Sequence, residues 1–131
     1  MEIVINSKRR ILHPERLTDE GKIASGIRCG QWLYISGQGP LDMQTMQYIP
    51  GTIEEETDLT LVHIDKIVAA AGGTRADIVK CTCYLSDLAD FGGFHAAFTS
   101  FFKQNLPCRT TSQAGLLRGI RVEIDAVAFL E

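Results

Sequence analysis

Arg109 stands directly behind a Pro-Cys pair, in the run Pro107-Cys108-Arg109-Thr110-Thr111, and an acidic residue, Glu123, follows in the last alternating apolar segment. A guanidinium is a rigid fork of donors that matches a carboxylate, and a glutamate can hold or move a proton. Together they predict a site for a small carboxylate-bearing molecule. An arginine at the start of a strand is ordinarily a solvated charge, so the elements that position these two groups decide the matter.

A chain of 131 residues suits one domain with one core. The balance of 13 basic and 16 acidic side chains gives a formal charge of -3, which argues against nucleic acid as the main electrostatic partner. Lys8-Arg9-Arg10 reads as a solvated segment. No apolar run approaches the ~20 residues that span a bilayer, and Met1-Glu2-Ile3-Val4-Ile5-Asn6 lacks a basic-then-apolar leader pattern. A soluble, cytoplasmic protein with no membrane partner is expected. Cys29, Cys81, Cys83 and Cys108 form no CxxC pair, and His13, His63 and His95 are scattered, so neither a zinc site nor a disulfide framework is expected.

A strand is predicted at Ile3 to Asn6, then an irregular polar stretch through His13-Pro14 to Gly21. Two hairpin strands follow, around Ile27-Arg28-Cys29 and Trp32 to Ser36, joined by Gly30-Gln31. The second ends in Ser36-Gly37-Gln38-Gly39-Pro40, either a plain turn or a strand end whose amides are open to a ligand. Thr52 with Glu55 forms a capping-box pattern, and Leu61, Ile64, Val68 and Ala71 continue at helical spacing until Gly72-Gly73. His63, beside this stripe, is expected at the surface or its boundary. From Ile78 to Leu85 alternation puts Val79, Cys81, Cys83 and Leu85 on one face, the cysteines as small buried hydrophobes.

A second helix is predicted from an Asp90 N-cap to Asn105, with Phe91, Phe94, Phe98, Phe101 and Phe102 as an aromatic stripe. His95 falls inside that stripe, either as a core histidine bonded to backbone or as part of a pocket. Strands are then predicted at Thr110 to Leu117 and Arg121 to Leu130, the last with Val122, Ile124, Ala126 and Ala128 on one face and Arg121, Glu123 and Asp125 on the other. Strand pairs with helices between them indicate an α+β fold with both helices on one face of the sheet. The uncovered face would carry Trp32, Tyr34, Tyr84, Val127 and Phe129, and burying it predicts a homo-oligomer.

Ile35-Ser36-Gly37-Gln38-Gly39-Pro40, Asp77-Ile78-Val79-Lys80, Leu88-Ala89-Asp90-Phe91, Pro107-Cys108-Arg109-Thr110-Thr111 and Val122-Glu123-Ile124-Asp125-Ala126-Val127-Ala128 resemble, in order and spacing, the motifs of the RidA/YjgF family (endoribonuclease L-PSP-like). The resemblance runs from about Ile11 to the C-terminus and implies one RidA-like domain over residues 1–131. It implies a chorismate-mutase-like mixed sheet with two helices on one face, a homotrimer with sites between subunits, and metabolite damage control by hydrolysis of reactive enamines and imines such as 2-aminoacrylate and 2-iminopropanoate. By the same resemblance Arg109 grips the substrate carboxylate and Glu123 positions and activates water. Ser36 and the Gly37 amide line the carboxylate end, Phe91 forms an apolar wall, and Thr111 falls where many relatives carry cysteine. Two positions depart from the pattern: Ile23 replaces a substrate-binding tyrosine, and His95 stands where asparagine is common.

The reading that results is a 2-iminobutanoate/2-iminopropanoate deaminase-like hydrolase needing no metal or organic cofactor, because a protonated imine is already electrophilic. Orientation and acid-base catalysis supply the rate, the latter ~10²–10⁴-fold. The alternatives are a deaminase for a larger enamine or imine acid, suited by Ile23, and a trimer that binds ketoacids without turnover. Ribonuclease activity ranks last, given the acidic charge balance and the lack of paired histidines with phosphate-binding cations. Cys108, next to Arg109, is expected to be buried and inert.

Overall fold

The computed structural model describes residues 8–17 and 23–131. The strand expected at Ile3 to Asn6 lies outside the described residues. Within the polar stretch that follows, Lys8–Ile11 forms β1, its basic side chains solvent-exposed. Strands β2 (Gly26–Cys29) and β3 (Trp32–Gln38) make the expected hairpin, with Gly30 at a φ of 59° in the turn.

Helix α1 runs from Ile53 to Ala70. The Thr52 hydroxyl accepts from the Glu55 amide and Glu55 reaches back to the Thr52 amide, so both arms of the capping box are made. Glu54, Glu55 and Glu56 fill the first turn, where the helix dipole favours negative charge. Leu61, Ile64, Ile67 and Val68 are wholly buried.

Strand β4 covers Ile78–Leu85. The ladder to its neighbour slips between Ile78 and Lys80, so Ile78 takes the core position expected for Val79, which is exposed. A bulge resets the side-chain alternation in a way that the residue pattern does not encode. Helix α2 is shorter than expected, Phe91–Phe102, and Asp90 does not cap it. A 3-10 turn at Leu88–Asp90 precedes it, capped by Asp87, while Asp90 lies 3.7 Å from Arg121. Gly93 lets α2 approach α1, because a Cβ there would collide with Ile53 and Glu54.

The last strands are β5 (Cys108–Gln113), starting and ending earlier than expected, and β6 (Val122–Phe129). They are not neighbours: the sheet order is β1-β2-β3-β6-β4-β5, all antiparallel except β4 with β5. That parallel pair is joined through α2, the kind of crossover that parallel strands require. Both helices lie over one face, where Phe94, Phe98 and Phe102 of α2 meet Cys81, Cys83, Leu85, Val122 and Ile124. On the other face Trp32 and Tyr34 are 44% and 51% exposed. Among the described residues no helix is long and apolar enough to cross a membrane.

Candidate functional site

Between Ile35 and Gln38 the β3–β6 ladder is irregular, and this break falls on Ser36 and Gly37. Glu123 of β6, pointing away from the helices, lays its carboxylate against the gap: a Cβ on residue 37 would sit 2.8 Å from Glu123 Oε2. Glycine at 37 is thus the condition for the carboxylate to rest there. Burial pushes the Glu123 carboxyl above its ordinary range, and neighbouring Asp125 adds to the shift. Ser36 is tied to the segment that leads into β2, its hydroxyl donating to Ala24 O at 2.7 Å and its amide to Ser25 O at 2.9 Å.

These residues open onto a cavity of about 470 Å³. Ile23, Ser36, Gly37 and Glu123 line it, with Leu41, Met43, Ile120 and Leu117 as apolar wall and Arg16 and Arg118 as cations. Part of that wall is a separate small core of Leu41, Met43 and Ile120 under Met46, Tyr48 and Leu116. Its loop is held by Glu56, fully buried, which accepts from Tyr48 Oη at 2.6 Å and from Arg121 N and Nε at 3.1 Å. Arg121 also donates to Gly51 O.

Arg109 is elsewhere. On β5 it pairs in register with Cys81, a core residue, so it faces the helix side while Glu123 faces the other. Its guanidinium carbon lies 4.9 Å from the Phe98 ring centroid, 5.3 Å from Phe94 and 5.6 Å from Phe91. Arg109 Nη1 donates to His95 Nδ1 at 3.0 Å, and the His95 ring stacks on Phe91 at 5.4 Å. His95 is therefore neither a core residue nor bonded to backbone: it is exposed and orients the arginine. Thr111, next on the same face of β5, has a buried hydroxyl with no hydrogen-bond partner among the described residues. The eight site residues expected from the sequence thus form two groups. Ile23, Ser36, Gly37 and Glu123 share the cavity, whereas Arg109, His95 and Phe91 cluster at the β5 edge with Thr111 beside them.

The cysteines divide as well. Cys81 and Cys83 are buried as expected; burial drives both thiols up, Cys81 to about 12. Cys108, expected to be buried, is exposed, because it alternates with Arg109 on β5 and so points to the sheet face that the helices leave open.

His63 is the other reversal: it is buried, and it bonds to His13. The Glu15 amide can only donate, so His13 Nδ1 accepts from it at 3.0 Å and the His13 proton sits on Nε2. That proton is donated to His63 Nδ1 at 3.0 Å, and His63 Nε2–H donates to Leu41 O at 2.7 Å. Burial lowers both rings, His13 to about 4. Glu15, whose oxygen lies within 4.8 Å of the two rings' nitrogens, is bonded to Lys66, and with every ring nitrogen engaged the trio is a closed relay without an open metal-ligating edge. Arg16, Arg118 and this relay were missed in the sequence, where no spacing rule links position 13 to 63 or 16 to 118.

A six-stranded mixed sheet under two helices is the fold of RidA-type proteins. RidA from an Antarctic Psychrobacter superposes with a TM-score of 0.84 at 28% identity over 93% of this chain and 99% of its own. The chain belongs to the Endoribonuclease L-PSP family, whose sequence profile matches residues 14–130, and within it to the RidA/YjgF proteins. The mouse 2-iminobutanoate/2-iminopropanoate deaminase is 38% identical over 109 residues, covering 82% of this chain and 81% of the relative. E. coli TdcF with bound serine gives a TM-score of 0.85 at 28% identity, over 94% and 99% of the two chains.

Proposed function

We propose that the protein hydrolyses enamine and imine acids of the 2-aminoacrylate and 2-iminopropanoate type to ketoacids and ammonium. The observation that carries this reading is Glu123, a half-buried carboxylate with a raised pKa at the rim of a cavity large enough for substrate and water. A carboxylate so shifted is a stronger base than one in water and takes a proton from an attacking water. Water adds to the imine carbon, giving a carbinolamine, and loss of the amine as ammonia leaves the ketone. Arg109, positioned among three phenylalanine rings and bonded through Nη1 to His95, presents its other N–H groups to the substrate carboxylate. The mouse relative is named for this activity, and the E. coli relative holds serine, an amino acid with the same carboxylate.

Within one chain Arg109 and Glu123 lie on opposite faces of the sheet, so the site needs a second copy. The apolar open face around Trp32 and Tyr34 is where copies would meet, in a trimer on the RidA pattern. The test generates 2-aminoacrylate with a serine dehydratase and follows ketoacid release. Wild type is expected to accelerate it, and Glu123→Gln and Arg109→Ala each to lose at least about 100-fold. No acceleration by wild type, with calorimetric binding of 2-oxobutyrate, would instead establish a ketoacid-binding protein.

A further inference from the structure

Among the described residues, the lining of the cavity beside Glu123 carries more positive charge than the hydrolysis of a monocarboxylic imine requires. Among the described residues Arg16 and Arg118 both line it, against the single carboxylate of Glu123. Arg16 is half-buried and has no ion-pair or side-chain hydrogen-bond partner among the described residues. Its neighbour Glu15, the obvious counter-ion, is bonded to Lys66 instead. Arg118 is held at a φ of 64° with Nη1 donating to Met46 O at 3.0 Å, which among the described residues leaves the rest of its fork unspent.

The backbone of Arg16 is also fixed in place. Its amide donates to His13 O at 3.0 Å, and His13 is anchored through its own amide to Ser25 Oγ at 2.9 Å and through its ring to His63. A half-buried guanidinium without a counter-ion carries a desolvation cost that an incoming anion removes, and the fork geometry favours a carboxylate. A volume of about 470 Å³ falls in the range of pockets for molecules well above three carbons.

Resting on the deaminase reading, we infer that the cavity selects imino acids with a second, side-chain carboxylate, gripped by Arg16 and Arg118 while Arg109 of another copy takes the first. Substrates of this class are 2-iminosuccinate and 2-iminoglutarate, the products of oxidising acidic amino acids.

The imines of alanine, aspartate and glutamate are generated in situ by amino-acid oxidases of matching specificity, and their decay is read by semicarbazide trapping. Wild type is expected to show a kcat/KM for the dicarboxylic imines at least about 10-fold above that for 2-iminopropanoate, the worth of one charge-assisted contact. Arg16→Leu should lower that selectivity ratio by about 10-fold or more, chiefly through KM, and Arg16→Lys should restore part of it. A wild-type preference for 2-iminopropanoate, or a ratio unmoved by Arg16→Leu, overturns the inference while leaving the deaminase reading intact. If no imine is hydrolysed, the deaminase reading fails and calorimetry decides the inference. Tighter binding of 2-oxoglutarate than pyruvate, lost in Arg16→Leu, supports the dicarboxylate site, and equal binding refutes it.

Discussion

At residue 37 the absence of a side chain decides where the Glu123 carboxylate rests. Gly37→Ala would place a methyl 2.8 Å from Glu123 Oε2, and the flexible glutamate, not the strand, would yield. We therefore expect imine hydrolysis to fall by about 100-fold or more with the thermal midpoint within a few degrees of wild type, checked by steady-state kinetics beside calorimetry. The pH profile follows from the same carboxylate. Glu123 must be ionised to accept a proton, so kcat/KM should fall as pH drops through a value above the usual 4.5, and Asp125→Asn should shift that limb to lower pH by removing a like charge. Arg109 and Glu123 stand out in the sequence as candidates because their motifs are local. Arg16 does not, since its role depends on Glu15 being engaged by Lys66 from a distant helix.

The elements converge on two buried polar junctions. Glu56 in α1 joins Tyr48 of the cavity loop to Arg121 at the entrance to β6. Glu56→Ala would leave the Arg121 amide and the Tyr48 hydroxyl without their acceptor and open a void, so denaturant titration should show a loss of about 3–5 kcal/mol. The His13–His63 relay ties the segment carrying Arg16 to α1 and to Leu41. His13 titrates near 4 folded and 6.5 unfolded, so the unfolded chain binds the extra proton between those values. Its stabilisation is complete above pH 6.5 and declines as pH falls toward 4, by roughly 3 kcal/mol, with Glu15 opposing and Lys66 and Arg16 reinforcing the shift. His13→Gln should flatten that slope in pH-dependent denaturation. Helix α1, its capping box and the alternation of β6 were legible because each is set by neighbours in sequence. The β4 bulge that buries Ile78 in place of Val79, the start of α2 at a turn capped by Asp87, and β4 lying between β5 and β6 come from tertiary pairing and leave no local trace.

For the whole molecule, the sheet's open face is the feature that asks for company. Trp32 packs edge-on against Phe129 at 4.9 Å, and with Tyr34 it forms an apolar patch on strands β3 and β6. Tyr34→Glu is expected to shift sedimentation toward the single chain and to abolish hydrolysis in parallel. Mixing is a sharper test of a shared site: Arg109→Ala and Glu123→Gln chains, each inactive alone, should regain about a quarter of wild-type activity when refolded together in equal amounts, since random partners rebuild that share of intact sites. No recovery would mean that both groups act within one chain. The division of Arg109 and Glu123 between two sides of one sheet has a further consequence, for dose. With Arg109 as anchor and Glu123 as base, as proposed, a lone chain holds two groups that cannot meet, so turnover per chain should collapse on dilution below the dissociation constant of the assembly, making the activity a sensor of how much of the protein is present.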